Sequence, residues 1–260
     1  MMYLITIIKV FSITLLILCY FLTSGFLWVI FRKKIFILKL VLIKIINYHC
    51  KVILQVLNVQ VNIIDKSNFE NKQTPFFYVS NHLSYLDIII LFAYFPSCFI
   101  TSREVRETPL LGLITALAGC IFVERRNKSK IEDEINEIKV ALANRLSVFI
   151  FPEATSTSGE AVKSFKRPLF KAAIETNSAI FPLTINYTKI NNQPINRKNR
   201  DWVCWYGDMT FLNHFLNLIS LKSITVNIII SNTISPLVHD KTSLALQAHT
   251  VVEREFIPFQ

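Results

Sequence analysis

Asn81-His82-Leu83-Ser84-Tyr85-Leu86-Asp87 follows directly on the apolar run Phe76-Phe77-Tyr78-Val79-Ser80, and the fold is decided here. A short apolar run closed by polar residues reads as a buried strand. Ser84 and Asp87, ahead of Ile88-Ile89-Ile90-Leu91-Phe92, form the S-x-x-D signature of a helix start. A buried strand turning into a helix is the unit of an α/β domain. The polar residues of the turn have two readings. In one, Asp87 is a capping acid and His82 an ordinary loop residue. In the other, Asp87 holds His82 in one tautomer, so that the imidazole can take a proton from a hydroxyl. The two are compatible only if His82 stays outside the helix, because five helical residues turn through about 140°. From the loop, its ring can fold back over the first turn.

The same rhythm continues outward. Strands are predicted over Val59–Ile64, Phe76–Ser80, Cys98–Ser102, Cys120–Glu124, Val148–Phe151, Ala179–Tyr187, Val203–Gly207 and Ile224–Ser231. Helices are predicted over Tyr85–Phe95, Pro109–Leu117, Lys130–Arg145, Phe165–Thr176, Leu212–Leu218 and Ser243–Glu255, with Ile131, Ile135, Ile138 and Leu142 striping the third. Asn191 to Arg200 reads as an exposed polar loop. The fold expected is α/β, a mixed sheet flanked by helices and preceded by an N-terminal membrane-anchoring helical segment. Residues 1–57 would be the anchor and 58–260 the catalytic domain, with its motif-bearing core at 75–187.

The anchor is read from hydropathy and charge. The chain has 260 residues, 52% of them hydrophobic, and the excess lies at the front. Val10 to Phe31 carries no charge over 22 residues, roughly 33 Å as a helix against a hydrocarbon core of about 30 Å. Arg32-Lys33-Lys34 follows and only Lys9 precedes, which favours a cytoplasmic C-terminal side. A signal peptide would have a shorter apolar core and a small-residue cleavage site. In Ile35 to Leu57, Lys44, Asn47, Lys51 and Gln55 fall on one helical stripe, as in a helix lying in the membrane interface. A buried soluble helix with one wet edge is the rival. The first 60 residues hold seven basic residues and no acid, leaving only +3 of the net +10 for the rest. That distribution fits adhesion to an anionic leaflet, and no nucleic-acid motif accompanies it. The five cysteines are odd in number and never in a C-x-x-C pair, so neither a zinc site nor a disulfide framework is indicated.

Two further strand ends carry polar residues. Gly119-Cys120-Ile121-Phe122-Val123-Glu124-Arg125 delivers Arg125 to a strand exit, where a guanidinium can grip a phosphate with paired hydrogen bonds. A plain surface arginine would look the same. Phe149-Ile150-Phe151-Pro152-Glu153-Ala154-Thr155-Ser156-Thr157-Ser158-Gly159 ends an apolar strand in an acid, hydroxyls and a glycine. Such a loop lines clefts but also makes common turns. With no G-x-S-x-G elbow, Ser156 and Ser158 are poor nucleophiles.

Taken together, Asn-His-x4-Asp, then G-x-I-F-x-x-R, then F-P-E-x-T, with Ile180-Phe181-Pro182-Leu183-Thr184 beyond, resembles the glycerolipid acyltransferase family. The resemblance covers about Pro75 to Tyr187. It implies that His82 is the general base on a lysolipid hydroxyl and that Asp87 orients its imidazole. Arg125 would hold the acceptor's phosphate, and Glu153 with Thr155 would shape the acceptor site. Asn81 and Lys166 complete the candidate substrate-binding positions. It implies acyl-CoA or acyl carrier protein as donor, membrane lipids as surroundings, and neither metal nor cofactor. Members that form phosphatidate usually read E-G-T-R-S where this chain has Glu153-Ala154-Thr155-Ser156-Thr157, so the arginine is Ser156 here. Lys163, Lys166 or Arg167 would have to supply the missing charge. Trp205-Tyr206-Gly207-Asp208-Met209-Thr210 also looks like the branch that acylates lyso-ornithine lipid. Phosphatidate formation is the first expectation and lyso-ornithine lipid acylation the second. A catalytically inactive lipid-binding membrane protein is the alternative of another class.

Overall fold

The structure, a computed structural model, describes residues 2–67, 75–124, 130–238 and 240–260. Two helices come first, α1 (Met2–Phe31) and α2 (Ile35–Leu57), each long and apolar enough to cross a membrane. Helix α1 starts ahead of the uncharged run and so takes in Lys9. The Lys9 ammonium is buried and donates to the carbonyls of Leu57 at 3.3 Å and Leu221 at 2.7 Å. Leu57 ends α2, and a helix C-terminus is where a cation is favoured. On α2, Lys44, Lys51 and Gln55 are exposed, while Asn47 turns its amide onto the carbonyls of Phe92 and Ala93.

The strands are β1 (Val59–Asp65), β2 (Phe77–Ser80), β3 (Cys98–Ser102), β4 (Ile121–Val123), β5 (Val148–Ile150), β6 (Ile180–Ile190), β7 (Gln193–Pro194) and β8 (Ile224–Ile230). Among the described residues they form one mixed sheet in the order β1-β8-β6-β2-β5-β3-β4, with β7 paired to β6. Strands β6, β2, β5, β3 and β4 run parallel, whereas β8 is antiparallel to β6 and carries β1 parallel at the edge. The chain therefore leaves β2, β4 and β5 along one edge of the sheet. That edge, outside the carboxyl ends of parallel strands, is where open α/β sheets bind ligands.

Helices α3 (Tyr85–Tyr94), α4 (Arg103–Glu107), α5 (Leu111–Leu117), α6 (Ile131–Ala143), α7 (Phe170–Glu175), α8 (Phe211–Ser220) and α9 (Lys241–Glu255) connect and cover the strands. Phe77, Phe149, Phe170, Ile180 and Leu183 are fully buried at the centre. Each such side chain contributes about 1.5–3 kcal/mol by leaving water. Helix α2 packs on α3 and contributes Ile46, Cys50 and Leu54 to the hydrophobic core.

Most predicted elements stand within a few residues of their expected ends, and two do not. Val203–Gly207 is an irregular loop rather than a strand. Its β-branched and aromatic residues have the right composition, but the Trp205 N–H bonds to the Leu83 carbonyl at 2.9 Å and Gly207 takes a left-handed φ of 58°. The helix expected over Phe165–Thr176 begins only at Phe170. Pro168 disfavours a helical Arg167, and the Lys166 N–H is held by the Pro152 carbonyl at 2.8 Å. The short α4 and β7 were not expected from the sequence.

Candidate active site

Ser84 has extended backbone, its hydroxyl accepts from the Leu86 N–H, and the Asp87 carboxylate accepts from the Ser84 N–H at 2.9 Å. This is the capping box anticipated from S-x-x-D. His82 stays in the loop ahead of it, and its ring turns back so that Nδ1 lies 2.9 Å from Asp87 Oδ2. Both roles of Asp87 are present at once. The carboxylate is fully buried and takes four donors: the N–H groups of Leu83 and Ser84, His82 Nδ1, and the Tyr187 hydroxyl on Oδ1 at 2.6 Å. Burial, followed by the neighbouring carboxylate charge, pushes the Tyr187 hydroxyl well above the usual tyrosine range, so it remains a donor.

A carboxylate that already accepts backbone N–H groups requires the proton of His82 on Nδ1, which leaves Nε2 with a free lone pair. Among the described residues no partner engages Nε2. The imidazole side chain keeps 16% exposure. One of its faces stacks on Phe151, with centroids 4.0 Å apart and planes 16° off parallel. The hydrogen bond fixes where Nδ1 lies and the stack fixes the ring plane.

The other expected site residues divide into those that hold the loop and those at the surface. Asn81 is buried; its amide donates to the Ile185 carbonyl at 3.0 Å and accepts from the Ile185 N–H at 2.8 Å, clipping the end of β2 onto β6. Glu153 is buried as well. Its Oε1 accepts the His82 N–H and its Oε2 the Lys163 N–H, each at 2.7 Å. Burial raises its carboxyl to about 7, against the pull of those two donors. The polar atoms of Asn81 and Glu153 thus face the backbone rather than an open cleft. Thr155 is exposed, just after Ala154 with a left-handed φ of 60°. Lys166 is exposed in a groove with Arg167 and Lys241, between the segment before α7 and the start of α9. Arg125 lies outside the described residues. Its predecessor Glu124 offers its N–H to the Glu134 carboxylate at the exit of β4.

The loop at Cys204–Thr210 closes one side. Ser156 donates its hydroxyl to the Trp205 carbonyl, so Trp205 is held between the two motif loops. Tyr85 donates to His214 Nδ1 at 2.8 Å, while His214 Nε2 donates to the Cys204 carbonyl at 3.0 Å. Burial lowers the His214 pKa and keeps it neutral in that tautomer. Sequence reasoning missed Tyr187, Phe151 and the Tyr85–His214 link. Tyr187 alone had a signal: on β6 it shares the inward face with Leu183 and Ile185, and an inward tyrosine needs a partner for its hydroxyl.

An acyltransferase family profile matches residues 60–186. A lyso-ornithine lipid O-acyltransferase of Rhizobium meliloti is 29% identical over 165 residues, 61% of this chain and 56% of that enzyme. One from Pseudomonas aeruginosa is 30% identical over 187 residues, 70% of this chain and 68% of that enzyme. A 1-acyl-sn-glycerol-3-phosphate acyltransferase of Neisseria gonorrhoeae is 28% identical over 149 residues, 57% of this chain and 56% of that enzyme. The match thus spans little more than half the length of the Rhizobium and Neisseria enzymes and about two thirds of the Pseudomonas one. The crystal structure of the 1-acyl-sn-glycerophosphate acyltransferase PlsC from Thermotoga maritima shares the fold, with a TM-score of 0.61 at 19% identity over 95% of each chain.

Proposed function

The chain belongs to the acyltransferase family, and on that premise we propose that it moves a fatty acyl group from a thioester donor, acyl-CoA or acyl carrier protein, to the free hydroxyl of a membrane lysolipid. The observation that carries this reading is the 2.9 Å bond from His82 Nδ1 to Asp87, which leaves Nε2 open. Nε2 takes the hydroxyl proton as the lysolipid oxygen attacks the thioester carbonyl. The C–O bond forms, the tetrahedral intermediate collapses with loss of the C–S bond, and the imidazolium returns its proton to the departing thiolate. Asp87 holds the tautomer and stabilises the transient imidazolium. A positioned base of this kind contributes roughly 10²- to 10⁴-fold, and orientation and oxyanion stabilisation supply the rest.

Asn81 and Glu153 act by positioning the loop, Thr155 borders the acceptor entrance, and Arg125 grips the acceptor's phosphate. Lys166 lends positive charge beside that entrance. The acceptor of the first reading is 1-acylglycerol-3-phosphate, with phosphatidate as product for phospholipid biosynthesis. It is supported by the strand-exit arginine and the likeness to the Neisseria enzyme. A specific observation favours lyso-ornithine lipid as the second reading. Ser156 stands where phosphatidate-forming members carry arginine, and its hydroxyl is bonded to Trp205. The likeness to the Rhizobium and Pseudomonas enzymes points the same way. The length and apolar character of the two N-terminal helices support a protein held in the membrane, and the cytoplasmic face is the side on which we take its catalytic domain to work.

The test is acyl transfer by washed membranes supplied with lysophosphatidate and lyso-ornithine lipid in parallel, with His82→Ala membranes as control. Phosphatidate formed only by the wild type supports the first reading, and ornithine lipid alone supports the second. Transfer to neither, with either donor, would leave the inactive lipid-binding reading.

A further inference from the structure

We propose that α8, with α5 beside α1, forms a second bilayer-contact surface on the catalytic domain itself; this rests on the membrane-bound reading above. Helix α8 contains no Asp, Glu, Lys or Arg. It faces two ways: His214, Leu218 and Ile219 are buried, while Phe211, Leu212 and Leu216 point outward together with the uncharged amides of Asn213 and Asn217. On α5 and its first turn, Leu110, Leu111 and Leu113 do the same. All six outward side chains are between 42% and 63% exposed. An outer helix face that meets water is normally polar or charged, whereas three of the five exposed residues of α8 are large and apolar and none is charged.

The occupant is identified by continuity. Helix α1 packs against both α5 and α8. Lys9 of α1 bonds the Leu221 carbonyl just past α8 at 2.7 Å, and the Tyr20 hydroxyl of α1 bonds the Ile114 carbonyl of α5 at 3.2 Å. The free face of α1 between them is apolar along its length, from Leu4 and Phe11 to Phe26. The three helices thus lie side by side with outer faces that are uncharged and mostly apolar, and Lys222, exposed just beyond α8, stands where an ammonium can reach lipid headgroups. An apolar face rimmed by a basic residue and continuous with a membrane helix suits the headgroup–acyl boundary of an anionic leaflet.

This surface is joined to the catalytic turn. His214 of α8 bonds the Tyr85 hydroxyl at 2.8 Å, and the Phe211 ring stands edge-on to Tyr85 at 5.1 Å. Tyr85 is the first residue of α3, three positions after His82. With α8 at the leaflet, the element that meets the bilayer is also the one that holds Tyr85, at the start of the helix beside His82.

The experiment places an environment-sensitive fluorophore on single cysteines replacing Leu212, Leu216 or Leu113 in the full chain with Cys19→Ser, reconstituted in phosphatidylcholine–phosphatidylglycerol vesicles containing doxyl-labelled lipid. Phe26→Cys on α1 and Leu246→Cys, an exposed position on α9, serve as references. Quenching at 212, 216 and 113 is expected to approach that at 26 and to exceed that at 246 by roughly threefold or more. Quenching at 212 and 216 no greater than at 246, with 26 strongly quenched, would overturn the second surface and leave the anchor intact. Equal, weak quenching at all positions would overturn the membrane-bound reading and this inference with it.

Discussion

Tyr187, in the middle of β6, donates its hydroxyl to Asp87 Oδ1 at 2.6 Å from a position 100 residues further along the chain. The bond completes the coordination of a fully buried carboxylate whose other oxygen serves His82, Leu83 and Ser84. Tyr187→Phe keeps the ring and removes only that donor. Leaving a buried charged acceptor short of a partner costs about 1–3 kcal/mol, so the variant should unfold at correspondingly lower urea in detergent micelles. Its kcat should fall modestly with KM for the acceptor unchanged, because Asp87 still holds Nδ1. Wild-type stability in Tyr187→Phe would show that the bond contributes nothing.

Asp87→Asn separates the two roles of this residue. Asparagine can still accept N–H groups at the helix start, but its carboxamide no longer demands the proton on His82 Nδ1 and provides no charge for an imidazolium. Acyl transfer should drop by roughly 10²- to 10⁴-fold, close to the loss in His82→Ala. Helix α3 should persist by circular dichroism. A variant retaining most of its transfer rate would remove Asp87 from the mechanism and leave it a capping acid.

The local parts of this arrangement were legible in the sequence and the long-range parts were not. The helix start at Ser84, the return of His82 over the first turn and the strand into Phe149-Ile150 all follow from neighbours within a few residues. The stacked ring of Phe151 and the donor from Tyr187 depend on which strands become adjacent, which no short window encodes. Glu153 shows the same limit in another form. Its place after a strand marks a site residue, but its partners are backbone N–H groups of His82 and Lys163, invisible to side-chain chemistry. Val203–Gly207 failed because composition states what a segment can pair with and not whether a strand edge is free; here Leu83 and Ser156 hold it instead.

Glu153 also makes stability depend on pH. Its folded-state value of about 7 stands above the ordinary 4.5, burial being the main cause. Between those two values the folded protein keeps a proton that the unfolded chain has released. Stability should therefore decline as pH rises from 4.5 to 7, by on the order of 3 kcal/mol, and level off above. Glu153→Gln has no such proton and should lose that part of the slope. Its amide NH₂ must meet one of the two N–H donors, so it should also be less stable by about 1–3 kcal/mol throughout. Urea titrations followed by tryptophan fluorescence across that range decide the matter; parallel slopes in both proteins would rule the carboxyl out as the source.

Phe151 is the remaining constraint on the His82 imidazole. A hydrogen bond at Nδ1 leaves the imidazole free to rock about the line to Asp87 Oδ2, and rocking carries Nε2 away from any fixed hydroxyl. The Phe151 face at 4.0 Å, nearly parallel, blocks that motion on one side. Aromatic contacts of this kind contribute about 0.5–1.5 kcal/mol beyond burial, which in a rate corresponds to roughly 2- to 12-fold. Phe151→Leu fills similar space without a flat face, so kcat should fall within that range while acceptor KM holds. Phe151→Tyr should restore it, because the ring face returns. Equal kcat in the Leu variant and the wild type would mean that the hydrogen bond to Asp87 positions His82 by itself.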